Sequence, residues 1–100
     1  MRTLLFAMAA LPTLLALPAA AQDPQGRNLA ASCAICHGTE GRPVTKDVVP
    51  LAGLPKDYIA RQMRDFKDGK RPATVMHQIS KGYNDQQIDA LAAWFSAQKR

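Results

Sequence analysis

Two thiols and an imidazole fall within five residues of this chain, as Cys33-Ala-Ile-Cys36-His37. They are both of its cysteines and one of its two histidines. Cys-x-x-Cys-His is the spacing of a c-type haem attachment site. Two thiols three residues apart, on one turn of backbone, can each add to one of haem's two vinyl groups. The next residue then lies below the ring, where an imidazole can bind iron as the proximal ligand. Competing readings leave residues unexplained. A dithiol redox motif belongs beside a βαβ pattern, which this chain lacks. A zinc site needs a second Cys/His pair at ligand spacing, and only His77 remains. A structural disulfide gives the adjacent histidine no role.

The N-terminus supplies a compartment for this chemistry. Met1-Arg2 makes a short positive start, and Thr3 to Leu17 is almost wholly apolar, with Pro12 inside it. Pro18-Ala19-Ala20-Ala21 then gives small residues at the spacing a signal peptidase prefers. The pattern predicts a secretory signal peptide, residues 1–21, cleaved after Ala21. The apolar run is short for a span of about 20 residues, so no stable membrane insertion is expected after cleavage. Export would make the site periplasmic. In an oxidising compartment a free cysteine pair would form a disulfide, and thioether formation uses up both thiols instead.

Residues 22–100 would then form one domain. That is near the size at which a hydrophobic core alone is marginal and a staple is needed. A covalently held haem would be that staple, and the haem-free chain is expected to be largely unfolded. Lys and Arg number 13 against 8 acidic residues, a net charge of +5. The basic residues are interleaved with acids and form no run of five or six, which argues against nucleic-acid binding. They fit a solvated surface that steers acidic partners.

The elements that must position the motif read as three helices and two loops, an all-α architecture without repeats or convincing strands. Asp23 to about Ala34 is a short amphipathic helix, with Asp23 as cap, Pro24 in its first turn and the Cys-x-x-Cys-His motif closing it. Gly38 to Pro55 has no helical period and reads as a loop round one edge of the haem, ended by Pro50-Leu51-Ala52-Gly53. A backbone carbonyl in this loop should accept a hydrogen bond from the other nitrogen of His37, fixing the ring and tuning the iron. Pro50 is the candidate for that role, against a plain turn proline. Lys56 to Lys67 is the clearest helix, with Tyr58, Ile59, Gln62, Met63 and Phe66 on one face; Pro55 starts it and Gly69 stops it. Lys70 to Gly82 is loop, with a short helical turn at Met76 to Ser80. Asn84-Asp85 caps the last helix, whose buried stripe is Ile88, Leu91, Ala92 and Phe95, flanked by Trp94.

The second axial ligand decides what such a haem does. An open sixth position binds gases or peroxide, and two filled positions leave electron transfer. The candidates are Met63, Met76 and His77. Met63 sits on an apolar helix face, where methionine usually fills core. His77 would give a bis-histidine iron of lower potential. Met76 lies in a loop beyond a helix that could form the pocket wall, and its soft thioether could approach the distal face.

At these residues the chain resembles the class I, monohaem cytochrome c family. The resemblance rests on Cys33-Ala-Ile-Cys36-His37-Gly38, the Pro50-Leu51-Ala52-Gly53 turn, Thr74-Val75-Met76, Ile79, Lys81-Gly82-Tyr83 and Ile88-x-x-Leu91-Ala92-Ala93-Trp94-Phe95. The stretch from Tyr58 to Met76 is similar to cytochrome subunits and partners of flavocytochrome c sulfide dehydrogenases. The family implies one haem c on Cys33 and Cys36, His37/Met76 ligation, and a hydrogen bond from His37 to the Pro50 carbonyl. It also implies first and last helices that cross, with Gly26 allowing close approach near Trp94. The distance from His37 to Met76 is short for the family, which implies a trimmed loop and a more exposed haem edge.

The function this implies is electron transfer rather than catalysis. Partners would be redox proteins, such as a dehydrogenase, a flavoprotein or an oxidase, docking weakly at the haem edge. Lys46, Lys56, Lys67, Lys70, Arg71 and Lys81 are candidates for a basic ring that steers them. The alternatives are a permanently bound cytochrome subunit of a dehydrogenase, or a haem enzyme or gas sensor with a labile sixth ligand.

Overall fold

Helix breakers and caps divide the chain much as their chemistry dictates. The computed structural model describes residues 10–15 and 24–100, so Asp23 and most of the segment predicted as a leader lie outside the described residues. Helix α1 runs Pro24–Ala30, tightens into a 3₁₀ turn at Ala31–Cys33, and resumes as α2 at Ala34–His37. The helical path therefore carries through the whole Cys-x-x-Cys-His motif, three residues beyond the predicted end near Ala34. Helix α3 spans Lys56–Lys67 and the short α4 spans Met76–Ser80, both as the sequence predicts. Helix α5 spans Asp85–Ser96. Its start is a reciprocal cap, in which the Gln87 N–H donates to Asn84 Oδ1 (2.8 Å) and the Asn84 N–H donates to Gln87 Oε1 (2.9 Å). No strand occurs among the described residues, only an isolated bridge between Thr39 and Arg42.

Helix α5 is the centre of the packing. It buries Ile88, Leu91, Ala92 and Phe95, and α1 and α3 both lean on it, while α4 packs on α3. Ala30, Ile59, Ala60 and Met63 complete the core. Burial of a side chain the size of Ile88, Leu91 or Phe95 is worth roughly 1.5–3 kcal/mol each, so much of the fold's stability lies on this helix. The buried stripe of α3 is narrower than its periodicity predicts: Ile59, Ala60 and Met63 are buried, Gln62 and Phe66 are half-buried, and Tyr58 is 40% exposed. Arg64 ties α3 to α5, donating to Asp85 (3.1 Å) and Asp89 (2.8 Å).

Two glycines set the geometry around the motif. A Cβ at Gly26 would lie 2.7 Å from the Ala90 carbonyl oxygen and 3.0 Å from Trp94 Cβ, so α1 touches α5 backbone to backbone. Gly41 has φ 81°, and a Cβ there would meet Ala52 N at 2.8 Å and Phe95 Cδ1 at 2.9 Å. Its carbonyl accepts from Leu51 N–H (2.9 Å) and Ala52 N–H (3.1 Å), and Gly53 N–H donates to Phe95 O (2.9 Å). The loop between α2 and α3 is thereby pinned to the end of α5.

Gly26→Ala tests the close approach. Alanine gains about 1 kcal/mol in helix propensity, but overpacking a tight contact costs about 1–3 kcal/mol. The expected result is a lower denaturation midpoint for the haem-loaded protein. A higher midpoint would mean that α1 and α5 can separate without cost.

Candidate functional site

The motif sits where the helical path tightens. Cys33 ends the 3₁₀ turn, half-buried and packed against the core, while Cys36 lies on α2, exposed. Both are free thiols. Burial pushes the Cys33 thiol above its ordinary pKa; the Ser32 hydrogen bond opposes this and the nearby Cys36 reinforces it.

His37 ends α2, and its ring is fixed by one contact. Nδ1 lies 2.7 Å from the Val49 carbonyl oxygen. A carbonyl can only accept, so Nδ1 carries a hydrogen; in the neutral ring the lone pair is then on Nε2, the tautomer a metal-ligating imidazole needs. The structure therefore corrects the acceptor expected at Pro50 to the residue before it. Proline restricts the backbone of the residue that precedes it, disfavouring the helical region. Pro50 thus acts on His37 by holding Val49, whose carbonyl does the accepting.

Of the three candidate distal residues, Met63 is set apart by its burial in the core. Met63 is 7% exposed and belongs to the core with Ile59, Ile88 and Leu91. Met76 opens α4, half-buried, and packs against the edge of the same core that Cys33 touches from the other segment. His77 is half-buried, and its Nδ1 is buried without a hydrogen-bond partner. Beyond α4, the Tyr83 hydroxyl lies 3.1 Å from Ser32 Oγ, and Lys67 Nζ donates to Tyr83 O (2.6 Å). These contacts join the turn before Cys33 to the segment that carries Met76. Sequence reasoning missed Val49, Tyr83 and Ser80, the last a fully buried hydroxyl that donates to the Met76 carbonyl. Tyr83 had a signal in its place within Lys81-Gly82-Tyr83; nothing in the local sequence marks Ser80.

The residues present fit a haem. The donor set is two free thiols beside an imidazole oriented through its Nδ1. Large apolar side chains stand exposed next to these donors: Ile35 between the cysteines (87%), Val49 at the His37 acceptor, and Val75 and Ile79 on either side of Met76. Water is a poor neighbour for so many, and a broad apolar ring would cover them. Among the described residues no cluster of three or more His, Cys, Asp or Glu could hold a bare metal ion, which leaves the zinc reading without a ligand set.

Of the predicted basic ring, two members are engaged within the chain. Lys67 is bound to Tyr83 O, and Arg71 lies 4.7 Å from the Phe66 ring centroid and hydrogen-bonds Gln62. Lys46, Lys56, Lys70 and Lys81 are exposed.

An all-α scaffold with a Cys-x-x-Cys-His turn and an oriented imidazole defines a carrier of covalently attached haem. Comparison with known proteins gives the same class. Residues 25–99 match the cytochrome c family, and the chain belongs to that family. It is 37% identical over 81 residues to cytochrome c4 of Pseudomonas aeruginosa, covering 81% of this chain and 40% of that protein. It is 39% identical over 74 residues to the cytochrome subunit of sulfide dehydrogenase of Chlorobaculum tepidum, covering 73% of this chain and 66% of the subunit. The structure of cytochrome c4 of Acidithiobacillus ferrooxidans superposes with a TM-score of 0.66 at 28% identity, over 74% of this chain and 50% of that one. The chain thus spans from two fifths to two thirds of the length of these relatives. Its cofactor is haem c, and the expected all-α fold is the one observed.

The hydrogen bond at His37 makes a direct prediction. In the reduced protein, NMR should find a slowly exchanging proton on His37 Nδ1 with a cross-peak to Val49. A ring with no proton at Nδ1 would contradict the tautomer assigned here.

Proposed function

We propose that the chain is a periplasmic electron carrier in which His37 and Met76 would hold the iron of one haem c. The observation that carries this reading is the division of labour among the sulfur and imidazole donors. His37 gives Nδ1–H to Val49, Met63 is consumed by the core, and Met76 opens α4 half-buried against the core edge, with His77 beside it as the competing donor. The leader-like residues 1–21 support export, and among the described residues no helix is long and apolar enough to cross a membrane.

When bound, haem c supplies a one-electron iron couple. The chain's residues set its properties. Cys33 and Cys36 would hold the group covalently, and His37 would arrive in one orientation with one tautomer. The Met76 thioether is a soft donor that favours the reduced state and so raises the potential. With His37 fixed on α2 and Met76 on α4, the chain itself would supply both ligands, and neither helix would have to move when the iron changes state. Partners would dock over the uncovered edge through a weak contact, under about 1,200 Å² in total. Lys46, Lys56, Lys70 and Lys81 are the free charges available to steer an acidic one.

A second reading is that of a cytochrome subunit held permanently by a dehydrogenase. The similarity to the Chlorobaculum tepidum subunit favours it. Size-exclusion of the native protein from its source separates the two: a carrier elutes alone, a subunit with its enzyme.

Visible spectra, oxidised and reduced, with and without carbon monoxide, test the ligand set. Met76→Ala should abolish the weak sulfur-to-iron band of the oxidised protein, lower the potential and admit carbon monoxide. Met63→Leu should leave all three unchanged. A surviving band in Met76→Ala would remove Met76 from the coordination sphere. For docking, the rate of reaction with an acidic redox partner should fall as ionic strength rises, and Lys→Glu changes at Lys56, Lys70 and Lys81 should flatten that slope. A salt-independent rate for the unmodified protein would exclude steering by these lysines.

A further inference from the structure

We infer that Ser80 is the positioning residue for Met76: its buried hydroxyl holds the first turn of α4 in the conformation that presents the thioether. This rests on the reading of Met76 as the distal ligand and adds to it the means by which so short a helix keeps the ligand in place.

Helix α4 has little else to define it. It is five residues long, whereas an isolated helix shorter than about 12–15 residues is marginal in water. Its N-cap is Val75, whose side chain makes no cap hydrogen bond. The N-terminal side of the turn is held by backbone alone, the Val75 carbonyl accepting from Gln78 N–H (3.0 Å) and Ile79 N–H (3.1 Å). The side-chain anchor comes from within, where Ser80 Oγ donates to the Met76 carbonyl at 2.6 Å. Ser80 is fully buried, and it is the one buried polar side chain among the core residues described.

The hydroxyl has a second acceptor within reach, Met63 Sδ at 3.7 Å. It carries one hydrogen, and a carbonyl oxygen at 2.6 Å takes it in preference to a thioether at the longer distance. The same oxygen thus touches α3 through Met63 while it bonds the residue that bears the ligand. A hydroxyl that bonds back four residues is a local choice that competes with regular helix geometry. Here it acts on the turn where Met76 leaves the core. Losing that bond would also strand a desolvated hydroxyl, so the arrangement resists opening.

The thioether is soft and holds oxidised iron less firmly than reduced iron. Loosening of Met76 should therefore appear in the oxidised protein, as faster entry of an added ligand. The experiment measures the rate of imidazole binding to the oxidised, haem-loaded protein, together with its sulfur-to-iron band. Ser80→Ala removes the hydroxyl, and Ser80→Cys keeps the volume with a weak donor, so one serves if the other folds poorly. Ile88→Val is the control, deleting a methyl group from α5 and leaving α4 intact. The expected result is imidazole binding about fivefold faster in both Ser80 variants, the factor equivalent to one ordinary hydrogen bond. The reduced spectrum should be unchanged, and Ile88→Val should bind at the wild-type rate. Equal acceleration in Ile88→Val would assign the effect to general stability and overturn the proposal. Wild-type rates in both Ser80 variants, beside a fast Met76→Ala, would overturn the role of Ser80 alone. A sulfur-to-iron band that persists in Met76→Ala would overturn the ligand reading, and the role of Ser80 with it.

Discussion

Every segment that bears a site residue is held, directly or through one neighbour, against helix α5. The contact with α1 is the tightest, because Gly26 lets its backbone reach the Ala90 carbonyl. That contact fixes the helical path that ends, without interruption, in Cys33, Cys36 and His37. The loop after His37 is held by the Phe95 carbonyl through Gly53, and its inner turn closes on the Gly41 carbonyl. Helix α3 leans on α5 through Met63 and Ile59 and carries α4 on its other side. A displacement of α5 would thus move the thiols, the Val49 acceptor and Met76 together, which is how so small a chain can keep their relative positions.

The His37–Val49 bond shows how backbone and side chain share the work of making a ligand. The imidazole's identity comes from one codon, but its orientation and tautomer come from a carbonyl twelve residues away. That carbonyl is in turn governed by Pro50, which limits the backbone of Val49. None of this uses charge. It uses the fact that a carbonyl cannot donate, which places a hydrogen on Nδ1 and, in the neutral ring, leaves the lone pair on Nε2. The basic residues play a different part. Arg64 is committed to Asp85 and Asp89, and Lys67 to Tyr83, so part of the chain's positive charge is structural, while Lys46, Lys56, Lys70 and Lys81 are exposed.

Features set by neighbours in the chain were legible in the sequence, and features set by packing were not. The Cys33–Cys36–His37 spacing is local, and the bounds of α3 follow from Pro55, Gly69 and an apolar period, so both were readable. The acceptor for His37 was read one residue late because a proline is visible in a sequence and a carbonyl is not. Tyr58 looked inward by periodicity, yet the buried stripe turns toward Ala60, whose small side chain suits a close helix contact. Ser80 was invisible for a stronger reason. A serine at the end of a short helix ordinarily faces water, and only the docking of α4 on α3 buries it completely.

The two halves of the site are built with unequal redundancy. On the His37 side, two thiols precede the imidazole on the same helical path, a carbonyl fixes its ring, and the helix beneath is locked on α5. On the Met76 side there is one side chain on a five-residue helix without a side-chain cap, steadied by Ser80 and by the Tyr83–Ser32 contact beyond it. Removing one support from the first half leaves others. Removing one from the second leaves little, since a short helix does not persist on its own. In a fold of this kind, a carrier and a ligand-binding haem protein would differ mainly on the distal side. The same proximal turn can serve either, and with Met76 as the proposed ligand the packing of α4 would decide between them.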